Sequence, residues 1–210
     1  MCRCRCDGTA ETSKVCFQYK LLDILRYMAS LLRDNNIPFW LGFGTLLGAV
    51  REGKIIPWDT DIDLGFWEKD AEKIIGLTDT IKKDGYGFRV RNAGDTILQI
   101  IIGHSPNCTR SLCMDSWRVD GFLAECIEYP NSNCPAQCLD KENMIELEFE
   151  GEKLPAPAQP EIILKNFYGA DWKTPRVRNY DKIIVSMFGP SNAQAMAEIE
   201  KCIQQGNCYD

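Results

Sequence analysis

Long apolar runs are missing from this 210-residue chain: nothing in it approaches the roughly 18 uninterrupted apolar residues that a membrane span needs, so none is expected within it. Histidine is nearly missing too. His104 is the one imidazole, and a single histidine makes no site by itself, so it is expected to be structural. Cations are in deficit: 24 Lys and Arg stand against 30 Asp and Glu, a net charge of −6. That balance argues against a nucleic-acid duplex as partner, because neutralising its phosphates takes massed Lys and Arg. A phosphate-bearing ligand must instead meet local cations or a bound metal. No internal repeat and no low-complexity linker divides the chain, which suits one domain large enough to bury its own core. The expected organisation is a Cys-rich segment over residues 1–16 and a single domain over 17–210.

Cysteine, by contrast, is abundant. The 11 cysteines cluster as Cys2, Cys4, Cys6 and Cys16, then Cys108, Cys113, Cys126, Cys134 and Cys138, then Cys202 and Cys208. Disulfides in an oxidising compartment are the expected explanation, with "CTRSLC", "CPAQC" and "CIQQGNC" as candidate local bridges. The odd count leaves at least one thiol unpaired in a monomer whose other cysteines are bridged. A structural zinc site is the weaker alternative, since the CxxC pairs such sites use are missing and only His104 could assist. "MCRCRCDG" carries no apolar h-region, so a secretory location would require a leader or anchor outside these residues.

The 45% of hydrophobic and 26% of charged residues are those of a globular protein. From Lys14 to Asn35 apolar residues recur at helical spacing, with Leu21, Leu22, Leu25, Met28, Leu31 and Leu32 on one side. "NNIP" stops this helix, and "PFWLGFGT" predicts a short buried strand ending in a glycine turn, followed by a helical turn in "LLGAVREG". "KIIPWDTDIDLGFW" is the next extended run. "EKDAEKIIGLTDTIKKDG" predicts a surface helix closed by Gly85. "GFRVRN", "TILQIIIG" and "SWRVDGFLAECIEY" predict strands, and "MIELEFEGEKLPAPA" one more before a proline-rich turn. "QPEIILKNFYG" predicts a helix with Pro160 in its first turn, and a last helix is expected over about residues 191–204. This order indicates an α+β domain, mixed α and β around one small sheet flanked by helices.

The chemistry concentrates in "WDTDIDLGF". Side chains two apart on a strand share a face, so Asp61 and Asp63 project together while Ile62 and Leu64 enter the core. Two like charges this close repel unless a cation lies between them. A hard divalent ion, Mg²⁺ or Mn²⁺, is the natural remedy, using one or two carboxylates plus phosphate oxygens. Asp59, just after Pro57 and Trp58, is expected to cap the turn or to support the other two. The upstream "FGT" offers a glycine turn by which a backbone can approach phosphate. A third carboxylate on a neighbouring strand would complete a two-metal clamp, and "WRVDGF" offers Asp120, with Asp115 in reserve. Trp58, Tyr168 and Trp172 are aromatics that could stack on a base or sugar, although such positions more often belong to the core.

"GFGTLLGAVREGKIIPWDTDIDLGF" resembles the signature of the LicD family, a nucleotidyltransferase-fold (polymerase-beta-like) group of the fukutin and fukutin-related type. The similarity is continuous over about residues 37 to 67. A second block, "FEGEKLPAPAQPEIILKNFYGADWKTP", is similar to the family's C-terminal segment. "WRVDGFLAECIEY" resembles its third-carboxylate strand, with Gly121 where a larger apolar residue is usual. The resemblance implies transfer of a phospho-alcohol, such as phosphocholine or ribitol or glycerol phosphate, from a CDP-linked donor to a sugar hydroxyl of a glycan, releasing CMP. Asp61, Asp63 and Asp120 would then be the catalytic and metal-holding residues. Gly44 and Thr45 would present donors to a phosphate, and Arg51 and Lys54 would meet the donor's phosphates. With the cysteine content, the resemblance places the protein in the secretory pathway, in the Golgi lumen or outside the cell. A GT-A-like glycosyltransferase also uses a DxD pair, but its donor fold begins with a parallel βαβ unit that this helix-first chain lacks. A non-catalytic Cys-rich binding module is the other alternative, and the retention of both Asp61 and Asp63 speaks against it.

Overall fold

The computed structural model describes residues 10–57, 59–104, 112–129 and 131–175. Trp58, the "CTRSLC" cysteine Cys108 and the helix expected over about 191–204 lie outside them. The apolar stripe of the N-terminal segment forms helix α1, Ala10–Asp34. Leu21, Leu25, Met28 and Leu32 are fully buried together with Ile24, while Leu22 and Leu31 flank them half-buried. Asn36, in the left-handed region at φ 54°, ends the helix, and the N–H of Ile37 returns to the Leu32 carbonyl. Strand β1, Phe39–Leu41, follows at once.

The glycine turn expected at "GFGT" is the first turn of a helix, α2, Phe43–Glu52. It closes on Gly53 in the left-handed conformation, whose N–H meets the carbonyls of Gly48 and Ala49. Strand β2, Ile62–Trp67, carries the acids. The single helix expected over "EKDAEKIIGLTDTIKKDG" is broken at Gly76 into α3, Ala71–Ile75, and α4, Thr78–Lys83. Both still bury one apolar residue fully, Ile74 and Ile81.

Strands β3, Gly87–Ala93, and β4, Thr96–Gly103, make a hairpin, and β5, Leu112–Asp120, lies between β4 and β2. β5 is parallel to β2 and antiparallel to β4. The long strand expected over "SWRVDGFLAECIEY" turns back on itself instead. Gly121, at φ 61°, and Phe122 reverse the chain into β6, Leu123–Cys126, which pairs Asp120 with Leu123. β7, Asn133–Pro135, adds to β6, and the seven-stranded sheet has the central order β1-β2-β5-β4-β3. A separate hairpin, β8 Ile145–Phe149 and β9 Glu152–Ala156, replaces the single strand expected there, its turn supplied by Glu150 and Gly151 at positive φ. Helix α5, Pro160–Tyr168, packs on α2. Layered in this way, the fold is α+β, a mixed sheet flanked by helices.

Alternation along the strands then sorts the sheet's two faces. Ile62, Leu64 and Phe66 of β2, Ile100 and Ile102 of β4, and Leu112 and Met114 of β5 all enter the core at 2% exposure or less. Asp63, Gly65 and Trp67 therefore face the other way, with Gln99, Cys113, Asp115 and Trp117 beside them. Only glycine fits at position 65, because a Cβ there would stand 2.2 Å from the Trp40 indole nitrogen.

Candidate functional site

A cavity of about 400 Å³ opens on that second face and is lined by Asp59, Asp61, Asp63 and Asp115, with Arg51 and Arg91 on its walls. A larger cavity of about 830 Å³ lies at the far end of the sheet, around Phe39, Trp67 and Val119. There the acids Glu68, Asp140 and Glu146 are interleaved with Arg33, Lys69, Arg118 and Lys141, so charge is already compensated. The smaller cavity is the one whose charges ask for a ligand.

Register explains how the acids meet. Asp63 of β2 stands opposite Cys113 of β5, and Gly65 opposite Asp115, so Asp115 is one same-face step along from Asp63 on the neighbouring strand. Asp120 is five positions further along β5, about 17 Å at about 3.3 Å per residue. It is exposed, beyond the point where β2 ends, and it does not line the cavity. The third carboxylate brought to the acids is thus Asp115 rather than Asp120, because "WRVDGF" runs past the site into a hairpin. Asp59, expected only to cap or support, stands in the cavity as well and interacts directly with Asp61.

The glycine turn serves the acids in a way the sequence did not suggest. The N–H of Gly44 donates to Asp63 Oδ2 at 3.0 Å, and Thr45 Oγ1 accepts the N–H of Asp63 at 2.8 Å. Gly44 and Thr45, expected to face phosphate, are spent on locking Asp63 in place. A side chain at position 44 would put its Cβ 2.7 Å from Asp59 Oδ2 and 3.2 Å from Asp63 Oδ2. The turn is held at a cost, since Phe43 sits at φ 33°, a region L-residues rarely occupy.

Of the two expected phosphate cations, Lys54 is exposed and away from the cavity. Arg51 lines it, but its Nη2 donates to the carbonyls of Trp172 and Thr174, pinning the turn after α5 onto the cavity wall. Tyr168 and Trp172 thereby line the cavity, Trp172 at only 7% exposure. Arg91, Gln99 and Tyr129 line it too and had no sequence signal beyond their strand positions. His104 lies outside, with Nε2 3.4 Å from Asp23 and its ring against Tyr86.

Electrostatics marks the cluster as strained. Burial, then the charge of Asp61, pushes Asp59 up to about 7. Burial also pushes Asp115 up to about 7, with Glu128 and Asp61 adding to it while the Gln99 hydrogen bond and Arg91 oppose. Asp63 is raised well above the usual carboxylate range by burial and by Asp61, Asp59 and Asp115, against the Gly44 hydrogen bond. Among the described residues, Asp59, Asp63 and Asp115 have no Lys or Arg ion-pair partner. An all-oxygen donor set of buried, mutually repelling carboxylates fits a hard divalent cation such as Mg²⁺ or Mn²⁺. Among the described residues no three Asp, Glu, His or Cys groups are already gathered round a common point.

Cys113, Cys126, Cys134 and Cys138 are all buried, and the "CPAQC" bridge expected between Cys134 and Cys138 is not formed. Burial pushes the Cys126 and Cys134 thiols up to about 12, which keeps them neutral.

Comparison with known proteins points to the same segment. Residues 36–159, more than half of the chain, match the family model described as "LicD/FKTN/FKRP, nucleotidyltransferase domain". The ribitol 5-phosphate transferase FKRP of Mus musculus is 36% identical over 78 residues, which cover 32% of this chain and 16% of that protein. The ribitol-5-phosphate transferase FKTN of Mus musculus is 41% identical over 71 residues, 34% of this chain and 15% of that protein. The lipopolysaccharide cholinephosphotransferase LicD of Haemophilus influenzae is 38% identical over 60 residues, 29% of this chain and 23% of that protein. The matched part thus spans under a quarter of the length of each of these relatives.

Proposed function

The chain belongs to the LicD family, and on that premise we propose that it transfers a phospho-alcohol unit, of the phosphocholine or ribitol or glycerol phosphate type, from a CDP-linked donor to a sugar hydroxyl of a glycan, with CMP leaving. The observation that carries this reading is the cavity lined by Asp61, Asp63 and Asp115, with Asp63 and Asp115 on adjacent parallel strands and Asp61 just before the first of them. These three carboxylates would hold the divalent cation, Mg²⁺ or Mn²⁺, with room for a second. Bound there, the cation supplies neutralisation of the diphosphate and stabilisation of the departing CMP. Gly44 and Thr45 keep the Asp63 carboxylate aimed into the cavity, and Asp59 adds negative charge beside it. Arg91 supplies positive charge on the wall, and Arg51 holds the Trp172 side of the cavity closed. The secretory location expected from the cysteine content and the resemblance belongs to the same proposal.

A panel of CDP-choline, CDP-ribitol and CDP-glycerol, each with Mg²⁺ or Mn²⁺, tests it by CMP release. Release from at least one donor, dependent on the cation and abolished by Asp63→Asn, is the expected result. Equal release by that variant would remove Asp63 from the site, and no release from any CDP donor would return weight to the glycosyltransferase or binding-module alternatives.

A further inference from the structure

The sheet's register lays one row of side chains across four strands, and that row ends on the third carboxylate. Arg91 of β3 stands opposite Gln99 of β4, Gln99 opposite Asp115 of β5, and Asp115 opposite Gly65 of β2. All four lie on the cavity face. The row is connected by hydrogen bonds: Gln99 Nε2 donates to Asp115 Oδ1 at 2.9 Å, and Arg91 Nη1 donates to Gln99 Oε1 at 3.1 Å. Arg91 Nη2 in turn meets Glu128 Oε1 at 2.8 Å.

We infer that Gln99, oriented by Arg91 and Glu128, is a positioning residue for Asp115, fixing one carboxylate oxygen so that the other is presented to the cation. The physical reason is the two-ended chemistry of an amide. A glutamine side chain can turn either its oxygen or its NH₂ toward a neighbour, and only the NH₂ holds a carboxylate. Arg91 has donors and no acceptor, so by facing Gln99 it captures the amide oxygen and leaves the NH₂ to Asp115. Glu128 in turn keeps Arg91 from swinging onto the acids, which would place a competing cation in the cavity. Burial strengthens the arrangement: Gln99 is 6% exposed and Asp115 1%, so little water competes for the bond between them.

A register shift separates Arg91 from Asn92, with Arg91 opposite Gln99 but Asn92 opposite Ile97. That irregularity sits one residue past the row, so the regular pairing that sets Arg91 opposite Gln99 ends just beyond it. Without such a row, Asp115 would have only the backbone of β5 to aim it.

This inference rests on the cation-dependent reading above, and its test separates the two. Mn²⁺ binding to the full chain is followed by electron paramagnetic resonance of the free ion, alongside CMP release. Supporting groups behind a metal ligand are typically worth 10–100-fold in affinity or activity, so Gln99→Leu should weaken Mn²⁺ about tenfold or more. At saturating cation its kcat should stay low while KM for the CDP donor changes little, because both ends of the Gln99 amide are taken by Asp115 and Arg91. Arg91→Met, on a side chain 40% exposed, serves where Gln99→Leu fails to fold, and should weaken Mn²⁺ in the same direction by less. In the double variant the two effects should fall well short of their product, since Arg91 acts through Gln99. Unchanged Mn²⁺ affinity in both single variants, or fully multiplicative effects, would overturn the positioning role. A wild type that binds Mn²⁺, loses it in these variants and releases no CMP from any donor would keep the relay and overturn the proposed reaction.

Discussion

Raising the pH should weaken the cation-free protein, and a divalent cation should reverse that trend. Asp59 and Asp115 both move from 3.8 to about 7, first of all through burial, and Asp63 moves the same way. Below about pH 4 the carboxyls are protonated in folded and unfolded chains alike, and their contribution is fully present. From there to about pH 7 the unfolded chain has released protons that the folded chain still holds, so each step upward favours unfolding. Above about 7 the loss is complete. At about 1.4 kcal/mol per pH unit, the move from 3.8 to about 7 corresponds to ~4 kcal/mol for each of Asp59 and Asp115. A whole domain is held by only about 5–15 kcal/mol. With a urea dependence of about 2 kcal/mol per molar, even one such group lowers the midpoint by ~2 M. The assay is urea unfolding followed by circular dichroism from pH 5 to pH 8, in EDTA and again in Mn²⁺. The midpoint in EDTA should fall as pH rises, and Asp115→Asn should flatten the slope by one group. Mn²⁺ at about 100 times its Kd should restore ~2.7 kcal/mol at pH 8 and almost nothing at pH 5, where protonated carboxyls cannot ligate. A midpoint in EDTA that holds or rises with pH, or a cation that stabilises equally at both ends, refutes the reasoning.

Two substitutions separate the candidates for the third carboxylate. Asp115→Asn should abolish CMP release and weaken Mn²⁺ binding, whereas Asp120→Asn, at an exposed hairpin, should leave both within twofold of wild type; the opposite ranking would restore Asp120. Gly44→Ala should fold, with a melting temperature within a few degrees of wild type, yet lose about 100-fold in CMP release, because the new Cβ displaces the Asp59 and Asp63 carboxylates and displacements of that size carry such costs. Retained activity in that variant would mean that these carboxylates can shift without consequence.

The pair Asp61 and Asp63 was legible because two-residue alternation within "DIDL" is a local rule, obeyed whatever the rest of the fold does. Helix α1 was legible for the same reason, its stripe of Leu21, Leu25, Met28 and Leu32 being a property of one helix. Asp120 was preferred over Asp115 in the sequence, although only Asp115 lines the cavity, because the choice between them is not local. Both lie on β5, but only the pairing of Gly65 with Asp115 says which one the second strand reaches, and only the bend at Gly121 says where the strand ends. Gly121 was itself the available clue: at φ 61°, followed by exposed Phe122, it marks a hairpin just beyond the aspartate. Arg91 and Gln99 were invisible for a stronger reason. Nothing in "GFRVRN" or "TILQIIIG" distinguishes a cavity-facing Arg or Gln from a solvated one until the two strands are set in register against β5.

The fate of the glycine turn changes what the phosphates of any donor can meet. With the Gly44 N–H given to Asp63 Oδ2, and Thr45 Oγ1 accepting the Asp63 N–H, the start of α2 no longer offers those two groups as an anion cradle. Lys54 is outside the cavity, and Arg51 is drawn to the carbonyls of Trp172 and Thr174. Against these stand four carboxylates that would repel a diphosphate. A phosphate entering such a cavity unaided would gain little from Arg91, itself paired with Glu128. On the proposed reading, that balance would favour a diphosphate that enters only once the charge of Asp59, Asp61, Asp63 and Asp115 is compensated, so donor binding without a divalent cation should be weak.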